Sequence, residues 1–495
     1  MRPRRGPPAL GALLSLALAC SPVPDEPVVA PATCSGQPRS RCVRSVSVGA
    51  RFACAALHDQ TVWCWGRNDE SQLGYESADL CPERLADGRT RAVACHAAPL
   101  QVLGLAGVVA LSAGGAHTCA RRADGTLRCW GANGSGQLGN GAVLPSRTPV
   151  AVALGGVVSV ASGDRHTCAV TQQGSVYCWG ANDRGQLGLA ESPSACGPEG
   201  QRVPCARTPT RVTSVEEAVE VVAGDAHTCA RTRRGRVWCW GANGDGELGA
   251  NTASDRATPE AQAVLVGAHV LVGATSLAAG ASHTCATRDD GAVLCWGRHE
   301  RGQLGVAVPG SFAPCAHACI RTAVPIAGFE GAPLPEDPDG SVDSGLPDVS
   351  NTADVRRPDS AVDASADDAN DVEDADKREA APEPPPPAAV AVAAGSEFSC
   401  LSLDDGTVRC WGSNRAYELG NGRGDEGGAA LTTVIASPGA AATNPLQEVV
   451  GVEAGAQTAC AVLANRAVRC WGSNELGALG VGSTAEQHGP VPVTW

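Results

Sequence analysis

Short apolar runs separated by clusters of glycine and aspartate recur along most of this chain. The stretch 108–131 shows the pattern: Val-Val-Ala-Leu-Ser-Ala, a glycine pair, His-Thr-Cys-Ala, then Asp124-Gly125 and Leu-Arg-Cys-Trp-Gly. Apolar and β-branched runs of this length, bounded by turn residues, predict strands. No run keeps helical spacing over three turns, so the repeated part is predicted to be all-β.

One spacing defines the repeat. A cysteine, nine residues and then Cys-Trp-Gly occur seven times without variation, which is typical of a repeat array. The cysteine pairs are Cys54 with Cys64, Cys119 with Cys129, Cys168 with Cys178, Cys229 with Cys239, Cys285 with Cys295, Cys400 with Cys410 and Cys460 with Cys470.

The second copy shows why each pair is expected to form a disulfide. Ala123-Asp124-Gly125 suits a three-residue hairpin loop that ends on a left-handed glycine. Counting outward places Cys119 opposite Cys129 at a non-hydrogen-bonded site, where Cα atoms approach to about 4.5 Å, within disulfide range. The following residue points to the other sheet face, where it can pack on the neighbouring repeat. That residue is always tryptophan: Trp65, Trp130, Trp179, Trp240, Trp296, Trp411 and Trp471.

A second signature follows each Trp-Gly. Gly131-Ala-Asn-Gly-Ser-Gly-Gln-Leu-Gly139 has six counterparts, and a further strand such as Arg147-Thr-Pro-Val150 comes after it. Each unit therefore holds about four short antiparallel strands, and four-stranded units repeated radially make a β-propeller.

Together these motifs resemble the repeat of the regulator of chromosome condensation family. Gly-x-x-His-Thr, Asp-Gly-x-Val and Trp-Gly-x-Asn-x-x-Gly-Gln-Leu-Gly match it over residues 45–330 and 389–495. The resemblance implies a seven-bladed β-propeller. The cysteine pair departs from the family's eukaryotic pattern and resembles exported bacterial members. The last segment, Pro490 to Trp495, has the sequence of a fourth strand, and we expect it to join the first blade and close the ring.

The N-terminus predicts export. Arginines precede an apolar stretch from Ala9 to Ala19, the layout of a secretory signal that is too short to span a membrane as a mature helix. Ala17-Leu-Ala-Cys20 resembles a bacterial lipobox, although Ala17 stands where leucine is usual, so ordinary cleavage after Ala19 is the alternative. A lipid on Cys20, followed by serine rather than aspartate, predicts an outer-membrane or surface location; without it the protein would be secreted.

The cysteine count agrees with export. Of 23 cysteines, Cys20 and the fourteen repeat cysteines leave eight, which cluster as Cys34 with Cys42, Cys81 with Cys95, Cys196 with Cys205 and Cys315 with Cys319. An even set in an exported chain predicts eleven disulfides.

Zinc is the alternative for the repeat cysteines, because His117 lies on the strand face of Cys119. His166, His227 and His283 repeat this placement, but Phe52, Phe398 and Thr458 take the position in repeats that keep both cysteines. The cysteine pair therefore does not depend on histidine. We predict no metal site, and we expect the histidines to hydrogen-bond within their blade.

Residues 331–388 differ from the rest. They contain sixteen acidic and four basic residues, so they carry a formal −12 of the chain's −14, which predicts a disordered insertion. Asp337 to Asp343 resembles a calcium loop but lacks the bidentate glutamate. No basic stripe appears elsewhere, so nucleic-acid binding is not predicted. The expected boundaries are 1–20 signal peptide, 21–44 tether, 45–330 blades 1 to 5, 331–388 insertion and 389–495 blades 6 and 7 with the closing strand.

No motif predicts a catalytic or cofactor site. The Gly-x-Gly-x-x-Gly at 134–139 has no helix after it, and no nucleophile elbow occurs. We therefore expect a monomeric, non-enzymatic scaffold that binds a protein or a glycan and meets the membrane only through its lipid. The three loops closed by the extra cysteine pairs share one face, which is the hypothesised binding surface. The alternatives are a secreted enzyme inhibitor of the same fold and guanine-nucleotide exchange, the activity that the family namesake implies.

Overall fold

The computed structural model describes residues 42–85, 87–306, 315–332, 387–441 and 443–495. Cys20 and Cys34 lie outside these ranges, as does most of the predicted insertion, residues 333–386. The described residues form seven antiparallel sheets of four or five strands, the blades, and one small two-stranded sheet, and their one helical element is a 3-10 turn at Glu475–Gly477. The predicted all-β, seven-bladed propeller is confirmed.

Each blade places its four strands in chain order, and the first strands of successive blades contact one another around a central channel. Blade 1 contains Val43–Val48, Phe52–Leu57, Val62–Arg67 and Thr90–Gln101; blade 2 contains Val108–Ala113, His117–Arg122, Leu127–Gly131 and Ser146–Ala151; blade 3 contains Val157–Ser162, His166–Thr171, Val176–Ala181 and Val203–Val212; blade 4 contains Ala218–Ala223, His227–Thr232, Val237–Asn243 and Ser254–Ala263. Blade 5 contains Ala274–Ala279, His283–Arg288, Val293–Arg298 and Cys319–Pro325; blade 6 contains Ala389–Ala394, Phe398–Leu403, Val408–Gly412 and Gly428–Thr433; blade 7 contains Val449–Ala454, Thr458–Leu463, Val468–Gly472 and Val491–Pro492.

Two blades are larger than the predicted four strands. A fifth strand extends blade 1 at Leu80–Arg84 and blade 3 at Ser194–Cys196. A separate two-stranded ribbon, Leu265–Val266 with His269–Val270, follows blade 4.

The hairpin between the second and third strands has the expected geometry. In blade 2 the Arg122 amide donates to the Thr126 carbonyl (2.9 Å), and Gly125 has φ +74°. Gln60 and Arg466, which replace the glycine in blades 1 and 7, adopt the same left-handed conformation at φ 71° and 67°. The loop geometry therefore persists where the favourable residue is missing, at a modest conformational cost.

The expectation that the C-terminal strand joins the first blade is wrong. Val491 pairs with Cys470, so this strand completes blade 7. Blade 1 does not accept it as a fourth strand, because its own segment Thr90–Gln101 already pairs with its third strand. Closure instead depends on contacts between complete blades, including a hydrogen bond from Trp65 Nε1 to the Ala478 carbonyl (2.9 Å).

The hydrophobic core lies between blades. The cluster at the boundary of blades 7 and 1, for example, combines Val46, Val48 and Trp65 with Val462 and Leu479. Since each sheet buries both faces against its neighbours, no blade has a core of its own, and stability depends on an intact ring.

Candidate functional site

The ring presents two faces. We call turn face the side that carries the turns between first and second strands and the loops after the third strands. We call hairpin face the side that carries the hairpins between second and third strands and the connections between blades. A cavity of about 210 Å³ marks the turn-face mouth of the channel, and a cleft of about 250 Å³ on the hairpin face lies between blades 3 and 4.

A ring of glycines surrounds the turn-face mouth. One glycine comes from the first turn of every blade: Gly49, Gly114, Gly163, Gly224, Gly280, Gly395 and Gly455. A Cβ on Gly163 would lie 2.5 Å from the Gly224 carbonyl oxygen, and the same conflict recurs around the ring until Gly455 meets Gly49. None of the seven has positive φ. Close approach of the next blade's backbone, and in six blades of the His or Phe ring three residues on, therefore requires glycine here, and left-handed geometry does not.

The repeat tryptophans join each blade to the one before it. Trp179 Nε1 donates to the Gln137 carbonyl oxygen (2.8 Å), and Thr167 Oγ1 donates to the same oxygen (2.9 Å). The equivalent indole bonds are Trp65 to Ala478, Trp130 to Gln72, Trp240 to Gln186, Trp296 to Glu247, Trp411 to Gln303 and Trp471 to Glu418. All seven indoles are fully buried, so each donor needs this carbonyl.

The repeat histidines extend this network across the blade boundary. His117 Nε2 lies 2.8 Å from Thr167 Oγ1 in the next blade. Because the Thr167 hydroxyl hydrogen is used on Gln137, its oxygen accepts from the histidine, which assigns the proton to Nε2. His166, His227 and His283 bond in the same way to Thr228, Thr284 and Ser399. The histidines are thus structural, but their partners lie in the neighbouring blade and not, as expected, in their own.

Burial keeps these histidines neutral. It lowers the pKa of His117 and of His227 to about 4, and it is the main cause that lowers the pKa of His166 and of His283 to about 3. The Nδ1 atom of each has no hydrogen-bond partner within the described chain. Among the described residues no group of three His, Cys, Asp or Glu side chains could hold a metal ion.

The structure brings the predicted hairpin cysteines together. In all seven hairpins the two cysteines face each other with Cα atoms 4.1 Å apart and are disulfide-bonded, somewhat closer than the roughly 4.5 Å expected for such a site. The bonded pairs are Cys54 with Cys64, Cys119 with Cys129, Cys168 with Cys178, Cys229 with Cys239, Cys285 with Cys295, Cys400 with Cys410 and Cys460 with Cys470.

The loop cysteines are also paired as predicted where the structure describes both partners. Cys81 with Cys95, Cys196 with Cys205 and Cys315 with Cys319 have Cα separations of 5.8, 5.8 and 6.2 Å. Cys42 is buried, and its predicted partner Cys34 lies outside the described residues.

Two of the three loops that are closed by the extra disulfides also form polar contacts across blade boundaries. Glu83, in the fifth strand of blade 1, is almost fully buried and bonds to Arg51 (2.6 Å), Arg67 (3.3 Å) and Arg91 (2.5 Å). Hydrogen bonds and charge from these arginines outweigh burial and lower the pKa of Glu83. The next residue donates its amide to Glu475 of blade 7 (2.8 Å). In blade 5 the imidazole of His317 lies 2.9 Å from Asp245 of blade 4.

Two carboxylates meet at the turn-face mouth. Asp164 and Asp225 line the cavity there, and burial, followed by the charge of Asp164, raises the pKa of Asp225 to about 6. Burial also raises the pKa of Asp164. His166 is engaged with Thr228 and does not pair with Asp164, so these two residues do not form an acid–base couple.

Family models match most of the chain. A model described as the RCC1-like domain matches residues 13–342, and one for the regulator of chromosome condensation (RCC1) repeat matches residues 389–418 and 449–478. No helix within the described ranges has the length and apolar character needed to cross a membrane.

The chain is similar in sequence to proteins of several different kinds. The ultraviolet-B receptor UVR8 of Arabidopsis thaliana is 31% identical over 269 residues, which is 54% of this chain and 44% of that protein. The probable E3 ubiquitin-protein ligase HERC3 of Homo sapiens is 29% identical over 294 residues, 59% of this chain and 20% of that protein. The chain thus spans less than half the length of these relatives.

Solved structures share the fold at low identity. Human WBSCR16 superposes with a TM-score of 0.62 at 19% identity, over 88% of this chain and 94% of that one. Prp20p of Saccharomyces cerevisiae, which binds Gsp1p and histones, gives 0.58 at 18% identity, over 84% and 81%. With the RCC1-like domain model matching well over half of its residues, this chain belongs to the RCC1-like domain family.

Proposed function

We propose that this chain is an exported interaction scaffold, anchored through a lipid on Cys20, that binds a protein or glycan through loops of the turn face. The observation that carries the proposal is the presence of facing cysteines in every blade. Disulfides persist in oxidising compartments and are rare in the reducing cytosol. A propeller with one such bond per blade fits a cell envelope or an extracellular space.

The turn face is favoured for binding because its longest loops are held by disulfides. Residues 87–92 between Cys81 and Cys95 and residues 197–202 between Cys196 and Cys205 are exposed or nearly so, while their bases are fixed by the disulfides. Exposed loops held on a rigid base suit recognition because little conformational entropy is lost on binding. The channel mouth beside them offers carboxylates but no activated nucleophile, which supports a non-enzymatic role.

Two other functions follow from the family and fold. Inhibition of a secreted enzyme would use the same loops on a single folded target. Nucleotide exchange on a GTPase is the activity that the family namesake implies, and it would require a cytosolic or nuclear chain, which the cysteine content opposes. A nucleotide-release assay with a small GTPase separates exchange from the other two.

Cross-linking capture from the native cell envelope tests the proposal. We expect the wild-type chain to retain a partner, and a variant with only the exposed residues 87–92 and 197–202 scrambled to lose it while its melting temperature stays near that of the wild type. A variant lacking residues 333–386 is the matched control and should capture normally. Capture that survives scrambling, or that fails only in the deletion, would contradict binding by the turn face.

A further inference from the structure

The hairpin face carries a second recognition feature, in the cleft between blades 3 and 4. The connection Ser214 to Glu217 forms one wall, and the blade 4 hairpin from Thr232 to Arg236 forms the other. Trp238 lies between them, next to Cys239 on the third strand, and packs against the core shared by blades 3 and 4. The cleft therefore has an aromatic floor and charged walls.

The walls of the cleft contain more arginines than are ion-paired within the protein. The hairpin carries four arginines in six residues, Arg231, Arg233, Arg234 and Arg236. Arg231 is paired tightly with Glu220 (2.7 Å). Arg234 is 78% exposed and reaches Glu217 only at 4.0 Å, and Arg233 and Arg236 have no carboxylate within 4.0 Å among the described residues.

Trp238 is half-buried and also carries a donor that solvent reaches. Its indole Nε1 has no hydrogen-bond partner within the described chain, whereas Trp63, at the same position of blade 1, donates to Thr61 Oγ1 (3.0 Å). The seven repeat tryptophans all have carbonyl partners. The cleft thus offers solvent-exposed N–H donors, several of them cationic, beside an apolar ring, and Glu216 and Glu217 lie on its other wall. The complementary ligand supplies carboxylate acceptors next to an apolar side chain.

We propose that this cleft binds an acidic segment of a protein partner, with its carboxylates on Arg234 and Arg236 and an apolar side chain against Trp238. The proposal rests on the scaffold function proposed above and adds a surface on the opposite face. A peptide fits better than a long polyanion, because Glu216 and Glu217 interrupt the arginines and the cleft, at about 250 Å³, holds only a few side chains. The chain's net charge of −14 opposes non-specific attraction of any anion, so binding has to come from this local cluster.

The probe is a fluorescein-labelled, end-capped peptide of four glutamates around one leucine, and its binding to the full oxidised chain is followed by fluorescence anisotropy. We expect Arg234→Ala combined with Arg236→Ala to weaken binding about tenfold or more, because two charge-assisted contacts are lost. Trp238→Ala should also weaken it. Glu217→Gln should tighten binding, since it removes a competing carboxylate. Arg147→Ala, at a residue 65% exposed on the outer strand of blade 2, should change nothing.

Several results would overturn the proposal: no binding of the acidic peptide, binding insensitive to the arginine pair, or a sulfated polysaccharide that binds at these arginines more tightly than the peptide. Failure of peptide binding with envelope capture intact would reject only this cleft. Loss of envelope capture with peptide binding intact would reject the partner proposed for the turn face. A melting temperature within a few degrees of wild type keeps each variant interpretable.

Discussion

His166 Nε2 lies 2.9 Å from Thr228 Oγ1, across the boundary between blades 3 and 4. Both residues are fully buried, and the threonine hydroxyl donates to the Gln186 carbonyl (2.9 Å), which also accepts from Trp240 (3.0 Å). The His-Thr and Cys-Trp-Gly motifs of the repeat are therefore two ends of one polar contact between blades.

Replacing Thr228 with valine tests this contact. Thr228→Val keeps the side-chain shape but leaves the His166 N–H without an acceptor, and we expect a loss of about 1–3 kcal/mol in the free energy of unfolding, measured by chemical denaturation. Thr228→Ser is the matched control, because Ser399 naturally accepts from His283 at 2.8 Å. A serine variant as unstable as the valine variant would assign the effect to packing instead of the hydrogen bond.

Acid should destabilise the ring through its histidines. Burial lowers the pKa of His227 to about 4, below the 6.5 of an unfolded histidine, so the unfolded state binds the proton first. The stability contributed by each neutral histidine is complete above pH 6.5 and falls with pH toward pH 4, by at most about 1.4 kcal/mol per pH unit.

His227→Phe isolates this effect, because Phe52 and Phe398 occupy the position naturally in blades 1 and 6. We expect the variant to lose less stability than wild type between pH 6.5 and pH 4, as followed by melting temperature. Glu247 acts in the opposite direction, since burial raises its pKa to about 7 and its protonated native form is favoured as pH falls. Comparison of the variant with wild type cancels that contribution. Identical pH profiles would contradict the histidine account.

The glycine ring predicts a steric effect. Gly163→Ala places a methyl group 2.5 Å from the Gly224 carbonyl oxygen and closer still to His166 Cε1, so the histidine ring and the inner turns must shift, and we expect a loss of about 1–3 kcal/mol or more. Gly155→Ala is the control, because a Cβ there meets nothing within 4 Å. Differential scanning calorimetry should show a clear drop for the first variant and almost none for the second. Equal melting temperatures would show that the turns accommodate a side chain.

Glu83 should hold the fifth strand of blade 1 against the rest of that blade. Glu83→Gln leaves Arg51, Arg67 and Arg91 close together without a buried anion, and we expect a loss of about 1–3 kcal/mol, moderated by the partial exposure of the arginines. Glu76→Gln removes an exposed partner of Arg147 and should cost less than about 1 kcal/mol. Denaturation curves of the two variants give the comparison, and similar losses would contradict a stabilising role for the buried Glu83 ion pairs.

The local sequence pattern was sufficient to predict the hairpins that repeat in every blade. The Cys119–Cys129 pairing, the loop at Gly125 and the interior side of Trp130 follow from hairpin counting, because each depends on neighbours within a dozen residues. Gly163 and its six counterparts open the Gly-x-x-His-Thr motif and its variants, but the close approach to the next blade that requires glycine there does not follow from the local pattern.

Relations between distant segments were not predictable in this way. The predicted position of the strand at Val491 was wrong, because the sequence of a fourth strand does not show which blade it joins. The histidine partners were assigned to the wrong blade for the same reason. The sequence did not point to Glu83, because Arg51 and Arg67 approach it only after the fifth strand has folded onto blade 1. The hairpin-face cleft likewise depends on the connection before blade 4 lying beside its hairpin.

The central claim is that the ring is held by oxidised hairpins outside the cytosol. Mass spectrometry of the mature protein, isolated under alkylating and non-reducing conditions, tests it most directly. We predict that the fourteen hairpin cysteines carry no alkyl group and that proteolysis yields seven linked peptides such as the one joining Cys168 to Cys178. Alkylation of those fourteen thiols would contradict the claim.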